Sequence, residues 1–522
     1  MNTGNGKYGN GAMRSSQPWQ AALFAIIGAA GFLLILTIGD FTRKHTQSHP
    51  TFTNYVWLAI MVMIPIGLVF SYRTSRQVYP AAIEMVKNLR WYHWLWFAIF
   101  VSGLVLRKRT AAEGMNTPVD SAAAFRIVLS GGVGVVLLAQ LFLRKVEWLQ
   151  SAFTGIVGLL MAFDLVALVS CSWSIYWQWT FYKSVEYGVD VCLLAAVVYA
   201  VRNTKDYRMF FDWNWVLFGI MLLNVWFGCV WDPGDALLKG GRYGVQGIGG
   251  LGVWLQGVFP DVSSNQLSEY AGCIAVVALC RLLPLNRRRE NTAWYVFVFL
   301  FGFVTMIFGQ TRSALGGFCI ALFLIYLLSN RVAQGAAIVI GSIAAVFATG
   351  FGEYILDYLK RGQSTSQLES FSSRLNWWEA ALHAFMNYPL TGMGMWAAGR
   401  FGVLAKIGKT LTSTVHSDWI EIIVGTGIWG LVPIALVIIV SWYVLVRCTI
   451  NKRLHMEDRQ LAYEGMAALS VLTARMFFMT DLTLHPPSHF LVVLGCAEFL
   501  RRRVKKGYTL DEAPAIAVTA GV

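Results

Sequence analysis

The chain has 522 residues, of which 56% are hydrophobic and only 13% are charged, and its mean hydropathy is +0.55. That balance excludes an ordinary soluble domain and indicates a polytopic membrane protein. The formal charge of +14 is explained by Lys and Arg concentrated in cytoplasmic loops, so no nucleic-acid partner is inferred from it.

Residues 1–18 are rich in Gly, Asn and Ser and read as a flexible cytoplasmic N-terminus. The apolar run that follows has no small-residue cleavage site before Asp40, which predicts a retained span rather than a removable signal. Stretches able to cross roughly 30 Å of hydrocarbon occur near 20–39, 54–72, 91–107, 123–143, 150–170, 182–201, 214–231, 268–285, 293–310, 313–330, 334–352, 420–447, 460–480 and 487–500. The expected fold is therefore all-α and polytopic, with about 12 to 14 transmembrane helices. The organisation reads as an N-terminal transmembrane bundle over 19–352, a helix-bearing periplasmic loop over 353–416, C-terminal transmembrane helices over 417–502 and a cytoplasmic tail over 503–522.

Four basic clusters fall on one side if spans alternate: Arg202, Lys205 and Arg208; Arg281 with Arg287, Arg288 and Arg289; Arg447, Lys452 and Arg453; and Arg501 to Lys506. That side is taken as the cytoplasm. The cluster Arg107, Lys108 and Arg109 falls opposite, so the spans before residue 150 are less firmly ordered. The eight Cys lie in or beside apolar runs with no CxxC pair; they read as packing residues rather than disulfides or metal ligands.

The opposite face receives two long connections, roughly 232–267 and 353–416. The first is glycine-rich, and its Arg242 and Asn265 are candidate substrate contacts. In the second, Ser372 or Ser373 caps a helix that Pro389 and Gly392 end. Its stripe of Leu375, Trp378, Leu382 and Phe385 predicts an amphipathic helix at the membrane surface.

Ionisable groups near hydrocarbon are costly and tend to pair, face a cavity or bind a ligand. Arg312, Arg374, His416 and Asp481 all sit at the outer ends of predicted spans. Asp418 followed by Glu421 reads as an N-cap with its N3 glutamate. His416 then lies just outside a helix N-terminus, whose partial positive charge opposes protonation of the imidazole, as a general base requires. The same terminus can help hold an anion. Lys183 and Glu186, among interfacial aromatics, read as an anchor or ion pair, with Lys183 kept as a candidate substrate contact. Neither His485 nor His489 has a partner at ligand spacing, and no nucleotide loop, metal motif or serine elbow occurs.

The segments "QTRSALGG" (310–317), "SSRLNWWEAALHAFMNYPLTGMG" (372–394), "HSDWIEIIVGTGIWGLV" (416–432) and "TDL" (480–482), in that order around a long outer loop, resemble the bacterial O-antigen ligase family. This family shares its core with O-antigen polymerases and O-linked protein oligosaccharyltransferases. The resemblance covers about residues 150 to 500 and implies a GT-C-like, metal-independent, inverting glycosyltransferase without a cofactor. It implies an undecaprenyl diphosphate-linked O-antigen as donor, a lipid A-core hydroxyl as acceptor, and an active site at the periplasmic face of the bacterial inner membrane. Carried over position by position, it implies His416 as general base, Arg312 and Arg374 as stabilisers of the leaving diphosphate, and Asp481 as an orienting group. The family's "HNE" reads "HSD" here, so Ser417 and Asp418 depart from the pattern, while Glu421 matches an acidic position and is a candidate substrate contact. Polymerase and protein-glycosylating activities share these motifs. A transporter of anionic substrates would instead show inverted repeats and broken helices near the bilayer midplane, and no repeat is seen.

Overall fold

The computed structural model describes residues 82–505 apart from 105–109, 118, 144–146, 240–252, 259, 284–291, 350–354, 356–373 and 410–413. The predicted spans 20–39 and 54–72, Arg107 to Arg109, Arg242, Ser372, Ser373 and most of the C-terminal tail lie outside the described residues.

The longer helices are, in chain order, α1 Trp91–Leu104, α2 Ser121–Leu143, α3 Gly155–Val169, α4 Trp177–Ala200, α5 Thr204–Trp231, α6 Ser264–Leu282, α7 Thr292–Gly309, α8 Arg312–Leu328, α9 Val332–Thr349, α10 Arg374–Asn387, α11 Asp418–Ile450, α12 Met456–Met476 and α13 Ser488–Lys505. Every apolar run predicted from residue 91 onward is a helix, because an apolar stretch that long satisfies its backbone only internally. Five of them, α2, α3, α5, α7 and α11, are long and apolar enough to cross a membrane. The chain is an all-α polytopic membrane protein. Between α5 and α6, Leu237–Lys239 (β1) pairs antiparallel with Val253–Leu255 (β2), Leu237 opposite Leu255.

Helix α12 carries Glu457, Asp458, Arg459, Glu464 and Arg475, too many charges for a lipid-facing span. It tolerates them because α6, α8, α11 and α13 pack around it, and Gln460 to Leu472 are buried throughout. Glu464 accepts from Arg208 at 2.9 Å and Arg281 at 2.7 Å, and Asp458 accepts from Arg503 at 3.1 Å. Three of the basic clusters that orient the chain thus meet at one end of the bundle. The residues discussed below gather at the other end.

Helix α11 differs from the expected single span. Its start is capped by Ser417, whose hydroxyl faces the Ile420 N–H, rather than by Asp418. It is also interrupted at Gly427, which has φ 62° and ψ −153°. The turn segment after α10 runs along this break. Met393 and Gly394 donate backbone N–H groups to the Val424 and Gly425 carbonyls at 2.9 Å each, and Ile428 donates to the Pro389 carbonyl at 3.0 Å. A side chain at Gly427 would collide with the Leu390 carbonyl.

Helix α10 leaves part of its predicted apolar stripe facing outward. Leu375 and Leu382 are exposed, and the buried face is the alanine side, where Ala381 meets Met393, Ala398, Val403 and Val424. Small side chains let α10 approach the broken part of α11 closely. Gly427→Ala combines a left-handed backbone with a steric overlap. It should lower stability by roughly 2 kcal/mol or more, read as a fall of several degrees in the thermal midpoint of detergent-purified protein.

Candidate active site

His416 is set by its neighbours in sequence, of which Val415, Ser417 and Asp418 are each tied to a different element. Glu421, fully inside the bundle, accepts from the Val415 N–H at 3.3 Å. Its carboxyl fits only because residue 399 is glycine, where a Cβ would overlap it. On the other side of the same residue, Trp378 Nε1 donates to the Val415 carbonyl at 3.0 Å. Ser417 caps α11, and its hydroxyl donates to the Met476 carbonyl at 3.3 Å.

With both flanks held, His416 takes φ 55°, a left-handed conformation uncommon outside glycine but tolerated better by His than by most residues. Its ring stacks on Trp377 of α10 at a centroid distance of 5.6 Å and 29° between planes. Arg374 opens α10 one turn before Trp377, on the same face. The loop helix therefore brings Arg374 and the histidine to one side of the bundle.

Asp418 is the next tie. Its Oδ2 accepts from the backbone N–H groups of Asp481 and Leu482 at 3.1 Å each, and its Oδ1 accepts from the Thr483 N–H at 3.1 Å and hydroxyl at 2.9 Å. In return, the Asp418 N–H donates to the Met479 carbonyl at 3.0 Å. The 477–487 turn is irregular yet largely buried, a condition under which every backbone donor needs a partner. Asp418 supplies three of them.

Asp481 forms an ion pair with Arg475 of α12, Oδ2 to Nη2 at 3.6 Å. Burial and the neighbouring Glu269 carboxyl push the Asp481 carboxyl well above the usual carboxylate range.

Arg312 begins α8 after a tight turn in which Gln310 has φ 51°. The Thr311 hydroxyl donates to Asn265 Oδ1 at 3.1 Å, so Asn265 holds the turn that presents Arg312. Of the four described non-glycine residues with left-handed φ, Gln310, Trp396 and His416 lie at this end. Such conformations persist where surrounding structure enforces them and cluster at functional sites.

Lys183 lies apart from this group. It is buried on α4, pairs with Glu186 at 2.5 Å, and sits 4.9 Å from the Tyr182 ring centroid. Glu186 and Asp190 converge on His485, whose Nδ1 is 2.6 Å from Asp190 Oδ2. This cluster ties α4 to the 477–487 turn. Sequence spacing missed it, since Asp190 and His485 are 295 residues apart; it also missed Arg475 and Glu269. The one available signal was the presence of charges inside predicted spans.

Residues 297–435 match the O-antigen ligase family model. The chain carries an O-antigen ligase family domain. That domain spans α7 to the broken part of α11 and contains Arg312, Arg374, His416 and Glu421, while Asn265, Arg475 and Asp481 lie outside it. No curated protein matches the chain. The site end of the O-antigen ligase domain is thus completed by α6, α12 and the 477–487 turn. Asp418→Asn would place an amide NH₂ against at least one backbone donor, the Thr483 N–H, or against two if the amide turns the other way. Leaving buried donors unpaired costs about 1–3 kcal/mol each, so this variant should unfold at clearly lower temperature in detergent while Asp418→Glu falls between.

Proposed function

We propose that the protein is an O-antigen ligase: an inverting, metal-independent glycosyltransferase that moves a glycan from undecaprenyl diphosphate to a lipid A-core hydroxyl at the periplasmic face of the bacterial inner membrane. The observation that carries this is the His416 arrangement within the matched domain. The imidazole is fixed against Trp377 at the start of α11, and Arg374 lies one turn away on the face that bears Trp377.

An acceptor hydroxyl is a weak nucleophile, and His416 is assigned to take its proton as the oxygen attacks the anomeric carbon. The bond from that carbon to the diphosphate oxygen breaks with inversion, and the electron pair leaves on the diphosphate. That leaving group needs no proton but gains negative charge. Arg312 and Arg374 are assigned to stabilise it by forked hydrogen bonds.

Asn265 supports this role through the Arg312 turn. Glu421 is assigned to hold His416 by way of Val415, and the ion pair of Lys183 with Glu186 favours a scaffold role over substrate contact. Arg242 is retained as a donor contact from the glycine-rich connection.

The ligase reading is tested in a deletion strain. Long glycan accumulating on its lipid carrier above a bare lipid A-core is the expected product; core bearing a single repeat unit indicates a polymerase, and loss of glycan from a pilin-like protein a protein glycosyltransferase. In vitro, purified protein should join lipid-linked glycan to lipid A-core without nucleotide, ion gradient or divalent metal. His416→Ala should reduce kcat by about 10²–10⁴-fold, the usual contribution of a general base, with donor binding retained. Arg312→Lys keeps charge but loses the fork, and should reduce kcat by roughly 10²-fold.

A further inference from the structure

Arg475 is among the largest fully buried side chains, 1% exposed in the interior of the bundle. Desolvating a guanidinium costs several kcal/mol unless it is well paired, so its three partners are informative. Nε donates to Glu269 Oε2 of α6 at 3.1 Å, Nη1 donates to the Ser313 hydroxyl of α8 at 3.0 Å, and Nη2 lies 3.6 Å from Asp481 Oδ2 in the 477–487 turn. Each limb reaches an element that carries part of the candidate site.

Ser313 directly follows Arg312. Residue 311, directly before it, is bound by Asn265, and Asn265 and Glu269 are one helical turn apart on α6. The peptide that bears Arg312 is therefore gripped on both sides from a single helix, through Asn265 before it and through Glu269 and Arg475 after it. The third limb leads to Asp481, whose N–H is bound by Asp418, two residues after His416. His489 of α13 backs Glu269 from the far side at 3.1 Å.

We propose that Arg475 is a positioning residue: it touches neither donor nor acceptor, and fixes the Arg312 turn in register with the His416 segment. A lysine could keep the charge but could not span three partners in one plane. The inference rests on the ligase reading above.

The test is steady-state transfer from lipid-linked glycan to lipid A-core by purified full-length protein, with thermal midpoint measured alongside. Arg475→Lys is expected to fold, to lose about 10-fold or more in kcat, and to keep its acceptor KM within about twofold. Combined with Arg312→Lys, it is expected to add little to the loss from Arg312→Lys alone, because residues acting through one another are non-additive. A purely packing role would lower the thermal midpoint and leave kcat per folded molecule unchanged. Losses that multiply in the double variant, or wild-type kcat in Arg475→Lys, overturn the proposal. Should Arg475→Lys fail to fold, Ser313→Ala removes only the limb to α8; a severalfold fall in kcat supports the proposal and an unchanged kcat overturns it. Wild-type protein inactive in this assay overturns the ligase reading itself and the inference with it.

Discussion

The carboxylate of Asp418 is the interaction on which the site end depends. It accepts three backbone N–H groups and a hydroxyl from residues more than sixty positions downstream. Without it the 477–487 turn would bring unsatisfied donors into the bundle, where the cost of each is far higher than at a wet surface. With it, the start of α11, the end of α12 and the start of α13 become one rigid corner. His416 stands at the edge of that corner, and its unusual backbone conformation is held from both sides by chain that cannot shift independently.

Charge is handled differently at the two ends of the bundle. At the basic end, Arg208, Arg281 and Arg503 each find a carboxylate on α12, so the positive clusters double as clamps. At the His416 end, carboxyls cluster instead: Glu269 and Asp481 share Arg475, and Asp418 is close by. Burial, and then the neighbouring Glu269 carboxyl, raise the Asp481 carboxyl. Arg312 and Arg374, the cations of the candidate site, are instead the first residues of their helices.

Much of the fold was legible, because apolar runs in a membrane protein must be helical and the run lengths are unambiguous from residue 91 onward. The order of motifs also singled out Arg312, Arg374, His416 and Asp481 as candidates. Less legible was anything decided by a partner distant in sequence. Spacing reads Asp418 as the helix cap, whereas Ser417 takes that place and leaves the Asp418 carboxylate to bind the 481–483 turn. Hydropathy reads α11 as continuous, but the break at Gly427 depends on backbone donors from Met393, Gly394 and Ile428. The exposed Leu375 and Leu382 on α10 agree with a stripe that faces outward, whereas the alanines that meet α11 form no pattern the sequence reading singled out. Arg475 was missed because a charge in a polar-looking helix gives no sign of what lies opposite it.

The break in α11 has a mechanical consequence for the loop helix. At its C-terminal end, the chain after α10 is joined to α11 by main-chain hydrogen bonds that no side-chain rotation can release. Towards its N-terminal end the described ties include contacts of the Trp377 and Trp378 indoles with His416, Val415 and Phe478. Sliding α10 as a body would rupture the main-chain clamp, whereas tilting it about Pro389 would leave that clamp in place while parting the indole contacts and loosening the packing of Ala381. The helix is thus built as a lever with a fixed fulcrum, and such a tilt would lift Arg374 and Trp377 away from His416 together.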